Sequence, residues 1–356
     1  MNVYDHIAAN NRKTVIILCA FPVTLFITVY LFALFGVSTG IMSLAEAISF
    51  DDFAATRSFF NRSAETGVLR QALRVAWGIY PWVFGVAFIW IVISYHMGGA
   101  MILGMASARR VTFEENRELF RLVENTAIMC GLPVPEIYLI ENASLNAFAV
   151  GCKPEKASIA LTRGIVEKLD KDELQAVIAH ELAHIGSRDT RLMMIVIAGI
   201  GCFTFLGESL LLAAFAERDH DRGRGSIMPP FPFIILGFVC LTFGYVVAPI
   251  LRSALSHRRE FQADATAAKI TRDPDALARA LMKIVINSKV EKFGSCPFVG
   301  NICIVDPTRT GAFTSFESKL FSTHPSIDER LTALMNMTGK DTPPPAPATP
   351  AGRAVW

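Results

Sequence analysis

Residues 169–190 read LDKDELQAVIAHELAHIGSRDT. Asp170, Asp172 and Glu173 stand at the start of the stretch, where acids suit the positive end of a helix. The stretch predicts a helix over 169–190. Inside it lies His180-Glu181-Leu182-Ala183-His184, an H-E-x-x-H pattern. Residues four apart lie one turn apart on the same helix face. Both imidazoles can therefore reach one Zn²⁺ at about 2.0–2.1 Å. Glu181, beside the first histidine, is set to take a proton from water on the metal rather than to bind it. The plainer alternative is two solvated histidines on an amphipathic helix.

A catalytic zinc takes three protein ligands and keeps one position open. Glu260, in SHRREFQADATAAK (256–269), is the leading candidate for the third. That segment predicts another helix, and Asp264 shares its face one turn on. A carboxylate there would hold the N–H of a ligating imidazole and fix its tautomer. By spacing alone, Arg258, Arg259, Glu260 and Asp264 equally describe an ordinary charged helix face. His257 is the best candidate for a fourth ligand, which would close the site and make the metal structural.

Four apolar blocks surround these segments: Val15–Val37, Val75–Ala108, Leu192–Ala216 and Phe231–Leu251. A bilayer core about 30 Å thick needs about 20 apolar residues in helix. Each block is long enough, so four spans are predicted. The first follows Arg12 and Lys13 but is too long for a signal-peptide core and lacks a small-residue exit, so it reads as a retained anchor. Hydrophobic residues make up 52% of the 356-residue chain and charged residues 19%, which excludes disorder and argues against a purely soluble protein. The net charge of +2 gives no pointer to nucleic acid. Seven cysteines, an odd number, give no disulfide framework.

Four crossings put 1–14, 109–191 and 252–356 on one face and loops 38–74 and 217–230 on the other. Arg12, Lys13, Arg109, Arg110, Arg252, Arg258 and Arg259 flank the first face and bias it towards the cytoplasm. The expected layout is a membrane region over 1–108 with helices at about 15–37 and 83–105. The metal-helix segment covers 109–191, the third and fourth spans 192–251, and a second catalytic segment 252–340. A disordered Pro-rich tail, 341–356, closes the chain. Glu114–Cys130 has helical spacing, and EIYLI (136–140) and ASIALT (157–162) are short strand candidates.

HELAHIGSRD, NAFAVG, RREFQADA and STHPSIDER, in that order and interleaved with four apolar blocks, resemble the HtpX family of membrane zinc metalloproteases. The wider group includes the CAAX prenyl endopeptidases. The resemblance runs from about Val15 to Leu334. It implies a mainly α fold: four transmembrane helices and a cytoplasmic α+β zincin-type domain with a small sheet. It implies one Zn²⁺ per subunit, held by His180, His184 and Glu260, with Glu181 as general base and Asp264 supporting a ligand. His324, in an H-P-x₄-R run ending at Arg330, resembles a transition-state hydrogen-bond donor. Asn146, Ala147, Phe148 and Ala149 match a motif beside the strand expected to border the substrate cleft. Asp189 matches a family position whose role stays open between a cap, an ion pair with Arg191 and support of the site.

The implied activity is endoproteolysis of unfolded or damaged membrane proteins, linked to stress, at the bacterial inner membrane. The implied partners are those substrates and the lipid bilayer. Two alternatives remain: a non-catalytic four-span scaffold with a structural metal, and a CAAX-type processing protease. Loop 38–74, Val150 and the Pro-rich tail depart from the family pattern. Glu208 should face a neighbouring helix or water. His96 reads as a packed or interfacial residue, Asp219-His220-Asp221 as a solvated loop, and Cys296 and Cys303 as unpaired thiols. Residues 60–74 suggest an interfacial helix.

Overall fold

The computed structural model describes residues 3–38, 67–220, 231–244, 248–286 and 325–338. The chain divides into two compact units. One draws on 1–13, 94–195 and 249–356, the other on 14–93 and 196–248.

The first unit holds a four-stranded sheet and the helices packed on it. Its strands are β1 (Arg109–Arg110), β2 (Glu136–Ile140), β3 (Ala147–Val150) and β4 (Ser158–Thr162), in the order β1-β2-β4-β3. β2 and β4 are parallel, with Leu139 opposite Leu161. β3 returns antiparallel to β4, with Ala147 opposite Leu161, and ends the sheet. The two strand candidates EIYLI and ASIALT leave residues 146–156 between them. In the structure AFAV is itself a strand, and Gly151, at φ +130°, starts the turn back. A side chain there would be strained, and a Cβ would sit 2.8 Å from Ala157 Cα.

Alternation decides which face of the sheet meets helices. Ile137, Leu139, Ala147, Ala149, Ile159 and Leu161 share one buried core with the apolar residues of α3 (Arg117–Cys130) and α5 (Lys171–Gly186). Helices α1 (Val3–Ser38) and α2 (Val68–Met105) belong mainly to the other unit. α3 begins three residues later than the spacing suggests. Asn116 accepts from Leu119 N at 3.0 Å and caps it, and Gly131 closes it in the left-handed conformation. α4 (Arg163–Lys168) follows β4 directly, capped by Thr162. Gly164 allows the close pass of the 143–144 backbone: a Cβ would lie 2.2 Å from the Ala143 carbonyl oxygen.

α5 opens with a full capping box. Asp170 accepts from Glu173 N at 2.9 Å, and the Glu173 side chain accepts from Asp170 N at 3.0 Å. Glu173 is buried and also takes Lys283 Nζ at 2.6 Å. That ties α5 to α9 (Pro274–Ile286). The expected helix over 169–190 is in fact two. α5 ends at Gly186, Arg188 takes φ +61°, and α6 (Asp189–His220) starts afresh.

The second unit is built from apolar helix. α1 (Val3–Ser38), α2 (Val68–Met105) and α6 each contain a stretch long and apolar enough to cross a membrane. Trp82 is 78% exposed and Leu212 72%, apolar surface that suits lipid rather than water. Within the unit, Phe21 meets Phe203 edge-on at 5.7 Å, and Trp90 Nε1 donates to the Ala198 carbonyl at 3.0 Å. α7 (Phe231–Thr242) lies close against α6: a Cβ on Gly207 would come within 2.9 Å of the Gly237 carbonyl. Small residues permit that approach between apolar helices.

Three candidate spans stand among the described residues, against four expected. The fourth block yields α7, 12 residues long, short of the roughly 20 a crossing needs. Residues 245–247 lie outside the described residues, and α8 (Ala248–Thr271) begins beyond them. Loop 39–66, most of the expected 38–74 loop, also lies outside them. So do Asp221, Cys296, Cys303, His324 and the tail from 339 onward. Residues 68–74 open α2 rather than forming a separate helix. Glu208 is exposed on α6.

Candidate metal centre

α5 points His180 and His184 to one side, one turn apart, as the sequence spacing requires. α8 brings Glu260 and Asp264 opposite them, and α10 (Ile327–Thr338) adds Arg330. His180 Nε2 and His184 Nε2 lie 3.2 Å apart. Glu260 Oε2 is 3.6 Å from His180 Nε2, and Oε1 is 3.6 Å from His184 Nε2. Among the described residues this is the one group of three His, Cys or carboxylate donors at metal-binding spacing. Tetrahedral ligands about 2.0–2.1 Å from a zinc ion lie about 3.3–3.4 Å from one another. The observed separations fit a single ion.

Both imidazoles are held from behind. His180 Nδ1 lies 2.9 Å from Asp264 Oδ1, and His184 Nδ1 lies 3.2 Å from Asp189 Oδ2. A carboxylate at Nδ1 fixes the tautomer that leaves Nε2 free to ligate. Asp189, whose role the sequence leaves open, faces His184. The helix break at Ser187–Arg188 makes this possible, because it turns the chain and returns Asp189 to the end of α5. Ser187 Oγ donates to Asp189 Oδ2 at 2.6 Å, and Arg259 Nη1 lies 3.6 Å from Oδ1.

Arg330 is fully buried. Its Nε and Nη2 grip the two oxygens of Asp264 at 2.7 and 2.6 Å, and Nη1 lies 3.7 Å from Glu260 Oε2. This two-pronged grip is the strong form of the Arg–carboxylate pair. Glu181 is 3% exposed, and its charge acts on Arg330 as well. The pocket thus encloses four carboxylates (Glu181, Asp189, Glu260 and Asp264) with two guanidiniums, Arg259 and Arg330. The excess of negative charge matches a dication, and buried charge requires such compensation.

The ionisations show the same balance. Burial pushes Asp264 up, but Arg330 and His180 outweigh it and hold its carboxyl below the ordinary range. Burial pushes His180 down, yet Asp264 and Glu260 lift it to about 9 without a metal.

Of the residues singled out in the sequence, His180, Glu181, His184, Asp189, Glu260, Asp264 and Arg330 come together. Ala147–Ala149 lie on β3, which packs against α5, and Asn146 immediately precedes it; all four are buried. Asn146 N donates to Thr162 Oγ1 at 2.9 Å, and Thr162 N donates back to the Asn146 carbonyl at 3.0 Å. His324 lies outside the described residues, and so does any statement about the side chain of His257. Two participants escaped the sequence reading: Arg259, seen only as part of a charged face, and Asn10, whose amide reaches Asp189 at 2.8 Å. The H-E-x-x-H helix gives no signal for Asn10, which is 179 residues from Asp189.

The model of peptidase family M48 matches residues 114–338, a range that contains every element of this pocket except Asn10. The chain belongs to peptidase family M48. Its M48 relatives include a protease HtpX homologue of Bacteroides fragilis, 32% identical over 330 residues, covering 91% of this chain and 95% of the relative. Another HtpX homologue, from Ligilactobacillus salivarius, is 30% identical over 337 residues, covering 94% and 100%. Among solved structures, Ste24p of S. mikatae superposes with a TM-score of 0.44 at 19% identity, covering 79% of this chain and 72% of that one. Family membership and the apolar helices make this M48 protein a membrane metalloprotease of the HtpX type.

Proposed function

We propose that the protein is a zinc endopeptidase in which His180, His184 and Glu260 hold the ion and Glu181 is the general base. The carrying observation is the convergence of two imidazole nitrogens and the two oxygens of one carboxylate at 3.2–3.6 Å. A catalytic zinc takes three protein ligands and keeps one position open, and the His-His-Glu group offers three. When bound, zinc supplies Lewis acidity, bringing the pKa of water towards about 7 and polarising a peptide carbonyl.

The chain's own residues do the rest. Glu181 accepts the proton of the attacking water and hands it to the leaving amine. Asp264 and Asp189 keep the two imidazoles oriented, and Arg330 gives Asp264 and Glu260 a counter-charge in a buried place. His324 is proposed as the hydrogen-bond donor to the developing oxyanion. β3, at the sheet edge beside α5, is proposed to border substrate bound as an extended strand through backbone groups, with weak side-chain selectivity. Asn146, Ala147, Phe148 and Ala149 form that border.

The substrates proposed are unfolded or damaged membrane proteins, a stress-linked quality-control role at the bacterial inner membrane. The catalytic segments 109–191 and 252–340 are proposed to face the cytoplasm, separated by a third and a fourth crossing. Activity of purified full-length protein on an unfolded substrate, with zinc restored after chelation, tests the reading. Glu181→Gln should retain zinc and lose cleavage by a factor of at least about 10³. Glu260→Ala should lose zinc itself. Cleavage that survives either change removes that residue from its role.

A further inference from the structure

Asn10 stands on α1, in the first turn of a candidate span, far in sequence from everything else at the metal pocket. It is 5% exposed. Its Nδ2 donates to Asp189 Oδ1 at 2.8 Å and to the Ser187 carbonyl at 2.9 Å. Both amide hydrogens are therefore used, one on a side chain and one on the last turn of α5. The second target matters because carbonyls at a helix end lack partners within the helix. The first matters because the other oxygen of Asp189 faces His184 Nδ1. A side chain with two donors on one nitrogen fits this place. A carboxylate would meet two acceptors.

His184 needs this help more than His180 does. Its side chain is 15% exposed against 2% for His180, and its supporting carboxylate sits just beyond a helix break instead of within a helix. Asp264 is clamped by the Arg330 fork. Asp189 has Ser187, the longer Arg259 contact and Asn10.

We propose that Asn10 is a positioning residue for the metal centre: it fixes Asp189, through Asp189 the ring of His184, and so makes the start of the first membrane helix a determinant of metal affinity. This rests on the reading that His180, His184 and Glu260 bind zinc. Asn10 and Asp189 each open a candidate span. The bond therefore joins the starts of two membrane helices at the point where one ligand is oriented. A shift of α1 away from α6 loosens His184 without touching the ion.

The test measures the zinc dissociation constant of the full-length chain in detergent by competition with a chromophoric chelator. Glu181→Gln serves as parent to prevent self-digestion. Support of a metal-ligating histidine is worth about 10–100-fold in affinity, so Asn10→Ala should weaken zinc binding about tenfold. Asn10→Asp, nearly the same shape, should weaken it more, and Arg12→Ala, on the exposed side of α1, should match the parent. Asp189→Ala should also weaken binding, and adding Asn10→Ala to it should change nothing further. A merely structural Asn10 would give effects that add. Thermal midpoints in excess chelator identify any variant that fails to fold, and Asn10→Asp then carries the comparison. Parental affinity in the folded Asn10 variants, or full additivity with Asp189→Ala, overturns the inference. Glu260→Ala run in parallel separates the two levels. If it keeps zinc, the metal reading falls and takes this inference with it. If it loses zinc while Asn10→Ala does not, only the inference falls.

Discussion

Arg330 has no contact with water, and it neutralises carboxylates from another helix. Replacing one partner of a buried ion pair strands the other, at a cost of about 3–5 kcal/mol. Arg330→Met should therefore destabilise the protein strongly, because it keeps the volume and removes only the charge. Thermal unfolding in detergent should show a midpoint lower by several degrees. A midpoint within a degree of wild type would mean that Asp264 and Glu260 find another counter-charge. Legibility in the sequence divides along the same line. His180 and His184 are readable because a helix converts a spacing of four into a shared face, and Glu181 because it adjoins the first of them in the H-E-x-x-H pattern. Asp264 is readable relative to Glu260 for the same reason. Asp189 is five residues from His184 in sequence, yet its link to that ring depends on the left-handed turn at Arg188, which no periodicity announces. Lys283 on Glu173 spans 110 residues, and nothing local encodes it.

The small strand β3 and the helix break are where pattern reading fell short. A four-residue strand, buried along its whole length, shows no alternation of polar and apolar residues, so AFAV carried no strand signal by itself. The break between α5 and α6 lies inside an otherwise unbroken helical pattern. Gly164 is a further case of tertiary demand. Its helix is ordinary, and the crowding comes from the carbonyls of residues 143 and 144. Gly164→Ala must push that backbone aside, and overpacking of this kind costs about 1–3 kcal/mol. The expected result is a lower thermal midpoint and faster digestion by an added protease. An unchanged midpoint would show that the 143–144 backbone yields easily.

Apolar length was the easiest property of the whole chain to read, and it fixes membrane residence. Three long helices carry it among the described residues. Which side bears the catalytic segments rests on the arginines that flank the spans. Lys153, exposed in the turn after β3, offers a direct check. A Lys153→Cys protein in intact spheroplasts should resist a membrane-impermeant maleimide and react once the cells are opened. The native cysteines in the same region interfere little. Burial lifts the Cys130 and Cys152 thiols to about 11, leaving them neutral and slow to react near pH 7. Labelling of intact spheroplasts would place the catalytic segments outside.

The pocket draws on positions 10, 180–189, 259–264 and 330, so its parts leave the ribosome at widely separated times. When the histidines emerge, the carboxylate of Glu260 is still unmade, and the guanidinium that keeps it company comes last. A nascent chain that stops short of residue 330 therefore lacks part of this pocket, however long its membrane helices have been in place.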